Sequence, residues 1–273
     1  MIPIVTIPNN NLTTYYIAYF DILGYKAFFD DCKTEEMLEF LNNNIKIADD
    51  IERKTANGNF LIKSFSDNFM ILLDAQTGID EYNAIEYLSR LVAILQLRFL
   101  EKYSILIRGC ITKGEVYIDE NIVFGKGLIS AVSLENAANF PRIIVDSSTI
   151  NKDICKRLCK QYLSKDDDDE FYVDFFKAFK DNKSNLLFQS SDIFQNQFIT
   201  VKENIIKLVN KYGKYNRQVK DAKKISEAEK TISKYAWLLM KFNQFCEANN
   251  YIPISYKLVL YYRLMKCEIQ IDK

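Results

Sequence analysis

The chain has 273 residues, 36 basic against 36 acidic side chains, 48% hydrophobic and 14% aromatic residues, and no histidine. The missing histidine excludes Ser-His-Asp and Cys-His nucleophile pairs, His-Asp metal phosphohydrolases, facial His/carboxylate iron sites and Cys/His zinc fingers. Zero net charge argues against a general polyanion binder, so no nucleic-acid partner is expected.

The length suits one or two domains. The longest apolar run, Leu91–Leu100, is interrupted by Gln96 and Arg98 and falls short of a membrane span of ~20 residues. The opening MIPIVTIPNNN has neither a basic n-region nor an apolar h-region, so it does not read as a secretory leader. Six scattered cysteines without a CxxC pair read as free thiols of a cytoplasmic protein. Cys155 and Cys159 share a helical spacing but have no histidine partners for a metal.

Taken in chain order, Tyr15–Phe20 is an aromatic, apolar strand running into Asp21-Ile22-Leu23-Gly24, a glycine-containing turn. Thr34-Glu35-Glu36 opens a helix that Asn57-Gly58 closes. Phe60–Phe65 and Asn68–Leu73, joined by Ser66-Asp67, form a hairpin pattern with a carboxylate at its tip. Apolar residues at helical spacing predict an amphipathic helix over Asp80–Lys102. Ser104–Thr112, Gly114–Ile118 and Ile122–Phe124 read as three strands, Gly127–Asn139 as a short helix and Ile143–Val145 as another strand. The order β-α-β-β-α-β predicts an α+β fold of the ferredoxin-like palm type, an antiparallel sheet with flanking helices. Asp166–Glu170 reads as a solvated acidic loop and Phe171–Phe176 as one further strand. From about Asp192 to Asn249 a lysine-rich pattern predicts an appended C-terminal helical hairpin with its lysines in solvent. The expected division is a core over residues 12–178 and a helical extension over 179–273.

Two carboxylates stand out. Asp21 follows a buried strand and Asp67 tips the hairpin, and in a palm these neighbours converge. Two such groups at close range repel unless hard divalent cations lie between them, with phosphate oxygens completing the shells. Asp is favoured in turns anyway, so position alone leaves two ordinary turn residues open. Gly24 lets backbone N–H groups approach a phosphate, with Lys26 beside it.

The segments FDILGYK, IKSFSDNFMIL, IRGCITKGEV, FGKGLISAVSLE and PRIIVDSST, in this order, resemble the catalytic core of class III nucleotidyl cyclases from Tyr15 to Thr149. The resemblance implies two Mn²⁺ or Mg²⁺ ions on Asp21, Asp67 and the Ile22 carbonyl. It implies Gly24, Tyr25 and Lys26 along the triphosphate, Arg108 clamping phosphate oxygens, and Asp21, Asp67 and Arg108 as the catalytic set. Lys63 matches the family's base-reading lysine. The family's transition-state Asn and Arg fall at Ile129 and Ser133, and its adenine-reading Asp falls at Ile122.

Together with VDFF (Val173–Phe176) and KYAWLLMKFNQF (Lys234–Phe245), the chain resembles the pyrimidine cyclases of the bacterial Pycsar anti-phage system over nearly its whole length. That implies a homodimer with sites at its interface, a UTP substrate ahead of CTP, and a cyclic pyrimidine nucleotide that activates a separate effector. A purine cyclase, a dinucleotide cyclase or a degenerate, nucleotide-binding sensor stay open as alternatives. The SFSDN hairpin lacks the Gly-Gly of diguanylate cyclases.

Overall fold

A computed structural model describes residues 12–25, 60–119, 121–180, 191–212 and 222–255, with Glu35, Glu39 and Asn42. The described elements run β1 (Thr13–Leu23), β2 (Phe60–Phe65), β3 (Asn68–Asp74), α1 (Glu81–Tyr103), β4 (Leu106–Ile118), β5 (Val123–Phe124) and α2 (Lys126–Ala137). They continue with β6 (Ile143–Val145), α3 (Lys152–Leu158), β7 (Leu163–Lys165), β8 (Phe171–Val173), a 3₁₀ turn (Phe175–Lys180), α4 (Ser191–Tyr212) and α5 (Ala222–Ala248). Of the helix expected from Thr34, only Glu35, Glu39 and Asn42 fall among these residues, and all three are helical.

The fold is α+β, as the pattern predicts. The main sheet has the order β2-β3-β1-β4-β6-β8-β7, with β5 paired to β4. Its first four strands follow the ferredoxin-like order. The hairpin is antiparallel, with Phe65 opposite Asn68, and β1 runs antiparallel to β3, with Asp21 opposite Asn68. Strand β6 lies parallel to β4, and β8 and β7 follow antiparallel.

The chain divides into two compact units, residues 1–96 with 107–175 and residues 97–106 with 176–273. In the first unit β1 is buried from Tyr15 to Phe20 without alternation, as expected of a strand covered on both faces. Tyr15, Ile17, Tyr19, Met70, Leu72, Cys110, Val116 and Ala131 form one core cluster. Gly109 allows β4 to lie against β1: a Cβ there would stand 2.0 Å from the Tyr19 carbonyl oxygen and 2.6 Å from Phe20 Cα.

Several expectations need correction, among them the turn expected at Asp21–Leu23, which is the end of β1. The strands expected over Ser104–Thr112 and Gly114–Ile118 are one strand, β4. Gly114 does not break it but admits helix α2, since a Cβ there would stand 2.6 Å from Gly127 Cα. Phe171–Phe176 is strand only to Val173, after which the chain turns into the 3₁₀ segment. The acidic run is not solvated throughout: Asp166 is buried, and Arg142, only 1% exposed, is ion-paired to both Asp166 and Asp168.

The second unit holds α4 and α5 with the last turns of α1. Phe176 and Phe198 meet Phe242 at ring-centroid distances of 5.4 and 5.5 Å. The Asn204 amide donates to the Leu100 and Glu101 carbonyls at 2.9 and 2.7 Å, at the C-terminal end of α1 where backbone acceptors run out of intrahelical partners. The lysines are not all solvated, since Lys241 is buried above the Trp237 ring.

Candidate active site

The site is assembled where β1 leaves the sheet beside the β2–β3 turn. Two residues, Ser66 and Asp67, make that turn, and Ser66 takes a positive φ of 58° to close it. The Ile22 N–H donates to the Asp67 carbonyl at 3.1 Å, which fixes the end of β1 to the hairpin tip and brings Asp21 and Asp67 to one corner. On the Asp67 side, Asn68 Nδ2 donates to Asp67 Oδ1 at 3.3 Å, and the Tyr19 hydroxyl donates to Asn68 Oδ1 at 2.7 Å.

Arg108, near the start of β4, reaches Asp21 from the other side. Its Nε donates to Oδ1 at 3.5 Å and its Nη2 to Oδ2 at 3.2 Å. The same Nη2 is ion-paired to the Glu135 carboxylate on α2. The Arg108 and Asp21 side chains are each 18% exposed, and Glu135 is 8% exposed. Burial and the negative charge of Asp21 raise the Glu135 carboxyl above its ordinary range, against the pull of Arg108. The Tyr19 hydroxyl is pushed up to about 12, first by burial and then by Glu135, Asp21 and Asp67. Three carboxylates thus act on one phenol. Burial also raises the Cys110 thiol, which is therefore inert as a nucleophile.

Of the residues expected from sequence, Asp21, Ile22, Asp67 and Arg108 come together. Gly24 follows at φ 77°, exposed, and Tyr25 is half-buried. Lys26 lies outside the described residues. Lys63 sits on β2 opposite Met70 and is half-buried. Its charge reaches Asp119, whose carboxyl is lowered chiefly by the N–H groups of Asn121 and Ile122. Glu135, Tyr19 and Asn68 were not singled out from sequence. The helical spacing of α2 marks Glu135 as inward-facing beside Ala131, and an acidic residue at an inward position is the signal that could have found it.

The donor set fits hard divalent cations. Two carboxylates and the Ile22 carbonyl are all oxygen, and Arg108 shows that Asp21 accepts positive charge at this corner. Among the described residues no group of three or more His, Cys, Asp or Glu side chains is gathered closely enough to hold a metal ion, so at this corner the side-chain donors are Asp21 and Asp67 alone.

No family model and no curated protein matches the chain. Solved structures similar to it include the adenylyl cyclase CyaB from P. aeruginosa, 14% identical over 60% of this chain and 94% of that one, with a TM-score of 0.46. The guanylate cyclase domain of RhGC from Catenaria anguillulae in complex with GTP is 13% identical over 59% and 96%, with a TM-score of 0.45. An adenylate/guanylate cyclase/hydrolase from Silicibacter pomeroyi is 17% identical over 60% and 96%, with a TM-score of 0.42. No helix among the described residues is long and apolar enough to cross a membrane.

Proposed function

We propose that residues 12–178 form a nucleotidyl cyclase that converts a pyrimidine nucleoside triphosphate, UTP ahead of CTP, to its 3′,5′-cyclic monophosphate. The observation that carries this reading is the meeting of Asp21 and Asp67 through the Ile22 N–H, with Arg108 at the same corner. The reaction joins the ribose 3′-oxygen to the α-phosphorus, breaks the bond to the β-phosphate bridge and releases pyrophosphate and one proton. Asp21, Asp67 and the Ile22 carbonyl would hold two divalent cations, Mn²⁺ or Mg²⁺, which would acidify the 3′-hydroxyl and neutralise the phosphates. The Ile22 N–H bond to the Asp67 carbonyl holds the two carboxylates at one corner. Arg108 turns its donors to phosphate oxygens, and Gly24, Tyr25 and Lys26 lie along the triphosphate. No histidine base is needed, in keeping with a chain that has none.

Lys63 is the base-reading residue in this proposal. The neighbouring Tyr117–Phe124 pair, with ring centroids 5.1 Å apart, supports stacking of a small base. Exposed apolar side chains on the same unit, Leu61, Phe65, Ile122, Phe124 and Ile129, support a homodimer with shared sites. A Lys63 variant and an Asp21 variant should then restore activity when mixed. The cytoplasmic setting, the anti-phage role and the separate effector rest on the sequence resemblance.

The test is incubation with each of the four ribonucleoside triphosphates and Mn²⁺, read by mass spectrometry. The expected result is one cyclic pyrimidine monophosphate, abolished by Asp67→Asn. Cyclic AMP or cyclic GMP would move the substrate to the purines, and a dinucleotide would change the reaction. A second reading, a nucleotide sensor without turnover, draws on α2. Ile129 stands 68% exposed where the resemblance places a transition-state Asn. The Ser133 hydroxyl is spent on the Ile129 carbonyl at 2.9 Å. Tight nucleotide binding with no product from any triphosphate would select that reading.

A further inference from the structure

Arg108 is held by two carboxylates, Asp21 and Glu135. Its bonds to Asp21, at 3.2 and 3.5 Å, lie at the long end of the hydrogen-bond range, and the Glu135 carboxylate is ion-paired to the same Nη2. Both Asp21 oxygens nevertheless face the guanidinium, so a cation arriving on Asp21 must compete with Arg108 for the same lone pairs. The competition depends on what the guanidinium keeps when Asp21 lets go. A largely buried guanidinium left without an acceptor is costly. Glu135, reaching across from α2 and lying beside Asp21 itself, is a second carboxylate on the same guanidinium.

We infer that Glu135 is a positioning residue that anchors Arg108, so that Asp21 exchanges its guanidinium contact for a divalent cation while Arg108 stays in place. The inference deepens the cyclase proposal and rests on its cation site. Without Glu135, Arg108 has Asp21 as its remaining carboxylate and closes on it with both donors, the geometry a guanidinium prefers. Cation binding must then break a full two-bond ion pair.

The experiment measures Mn²⁺ alone, with no nucleotide, by the paramagnetic resonance of free Mn²⁺ titrated against the full chain. Glu135→Gln should raise the Kd at least tenfold, about 1.4 kcal/mol. In an Arg108→Gln background the same substitution should change the Kd by less than about twofold, since nothing is left to anchor. An equal loss in both backgrounds would mean that Glu135 acts through its charge alone, and the inference falls. Unchanged affinity in Glu135→Gln would overturn it as well. If Glu135→Gln fails to fold, judged by its urea midpoint, Glu135→Asp carries the test. It keeps the charge, withdraws one methylene from Arg108 and is expected to weaken Mn²⁺ in the presence of Arg108 only. Asp21→Asn and Asp67→Asn separate the two claims. If they bind Mn²⁺ like the wild type, the cation site and the inference fall together. If they lose Mn²⁺ while Glu135→Gln keeps it, only the anchoring role is refuted.

Discussion

Replacing Gly109 by alanine tests how the sheet sets the site. The added Cβ would stand 2.0 Å from Tyr19 O and 2.6 Å from Phe20 Cα and Cβ, and the first two obstacles are backbone of the central strand. Neither can swing aside as a side-chain tip can, so β4 and β1 must part by roughly 1.4 Å to bring the Tyr19 oxygen to ordinary contact. Overpacking of this kind costs about 1–3 kcal/mol, and a lost or stretched ladder bond adds ~1 kcal/mol. We therefore expect a loss near 3 kcal/mol, a large share of a typical stability of 5–15 kcal/mol. The same movement carries Arg108, the preceding residue, away from Asp21, where its contacts of 3.2 and 3.5 Å have no slack. Urea unfolding at constant m-value reads the first effect. Gly78→Ala is the control: φ there is +80°, yet a Cβ would meet nothing within 4 Å. That substitution costs only the left-handed strain of about 1–2 kcal/mol. If Gly109→Ala costs no more than Gly78→Ala, the close approach of β4 and β1 is not what holds Arg108 beside Asp21.

Three further outcomes follow from buried polar groups. Arg142→Met should destabilise by about 3–5 kcal/mol because it leaves Asp166 buried without its cation. Adding Asp166→Asn should recover part of that loss in the same denaturation assay. Burial would raise the Asp146 carboxyl, but hydrogen bonds from Ser148, Thr112 and Thr149 outweigh it and leave the group below its ordinary range. Its stabilisation is therefore present above the unfolded value near 3.9 and lost as pH falls through the lower folded value. Asp146→Asn should accordingly be less stable than wild type at pH 7, and the gap should close as the solution is acidified below about pH 4. In the helical unit, Asn243 bonds both the carbonyl and the N–H of Ile254, at 2.9 and 2.8 Å. Asn243→Leu strands both groups, at about 2–4 kcal/mol, and hydrogen exchange at the Ile254 amide should accelerate.

The β2–β3 hairpin was legible to the residue at its turn. Ser66-Asp67 interrupts two runs of opposite chain direction, and a two-residue turn leaves no freedom of register. The single strand β4 was not legible, because Lys113-Gly114 carries a local turn signal. Only the tertiary approach of Gly127 explains the glycine. Helix α3 and strand β7, seven and three residues long, are too short to show a period. The acidic run was misread for a related reason: Arg142 lies 24 residues before Asp166, and no local rule links them. Asp21 and Asp67 could be found because one lies near the end of a recognisable strand and the other in a two-residue turn, whereas Glu135 acquires its meaning only from a guanidinium on another element.

Arg108 and Gly109 are best understood as one device. A strand that brings a guanidinium to the end of β1 must lie close to β1, and closeness at residue 109 is incompatible with any Cβ. The charge and the missing side chain are therefore adjacent for a mechanical reason. Further along the same strand, Cys110 and Val116 enter the core cluster with Tyr19 and Ile17, so the position of Arg108 is tied to hydrophobic burial. Ala131 on α2 joins that cluster one helical turn before Glu135. The carboxylate that grips Arg108 and the strand that bears it are thus seated by the same core. A volume change at Ala131 should act on the site before it unfolds the protein. Ala131→Val places two extra methyl groups against a wholly buried position and should push α2 outward. Mn²⁺ affinity should then fall at urea concentrations where circular dichroism still reports native helix. Simultaneous loss of both signals would show that the core and the site do not separate in this way.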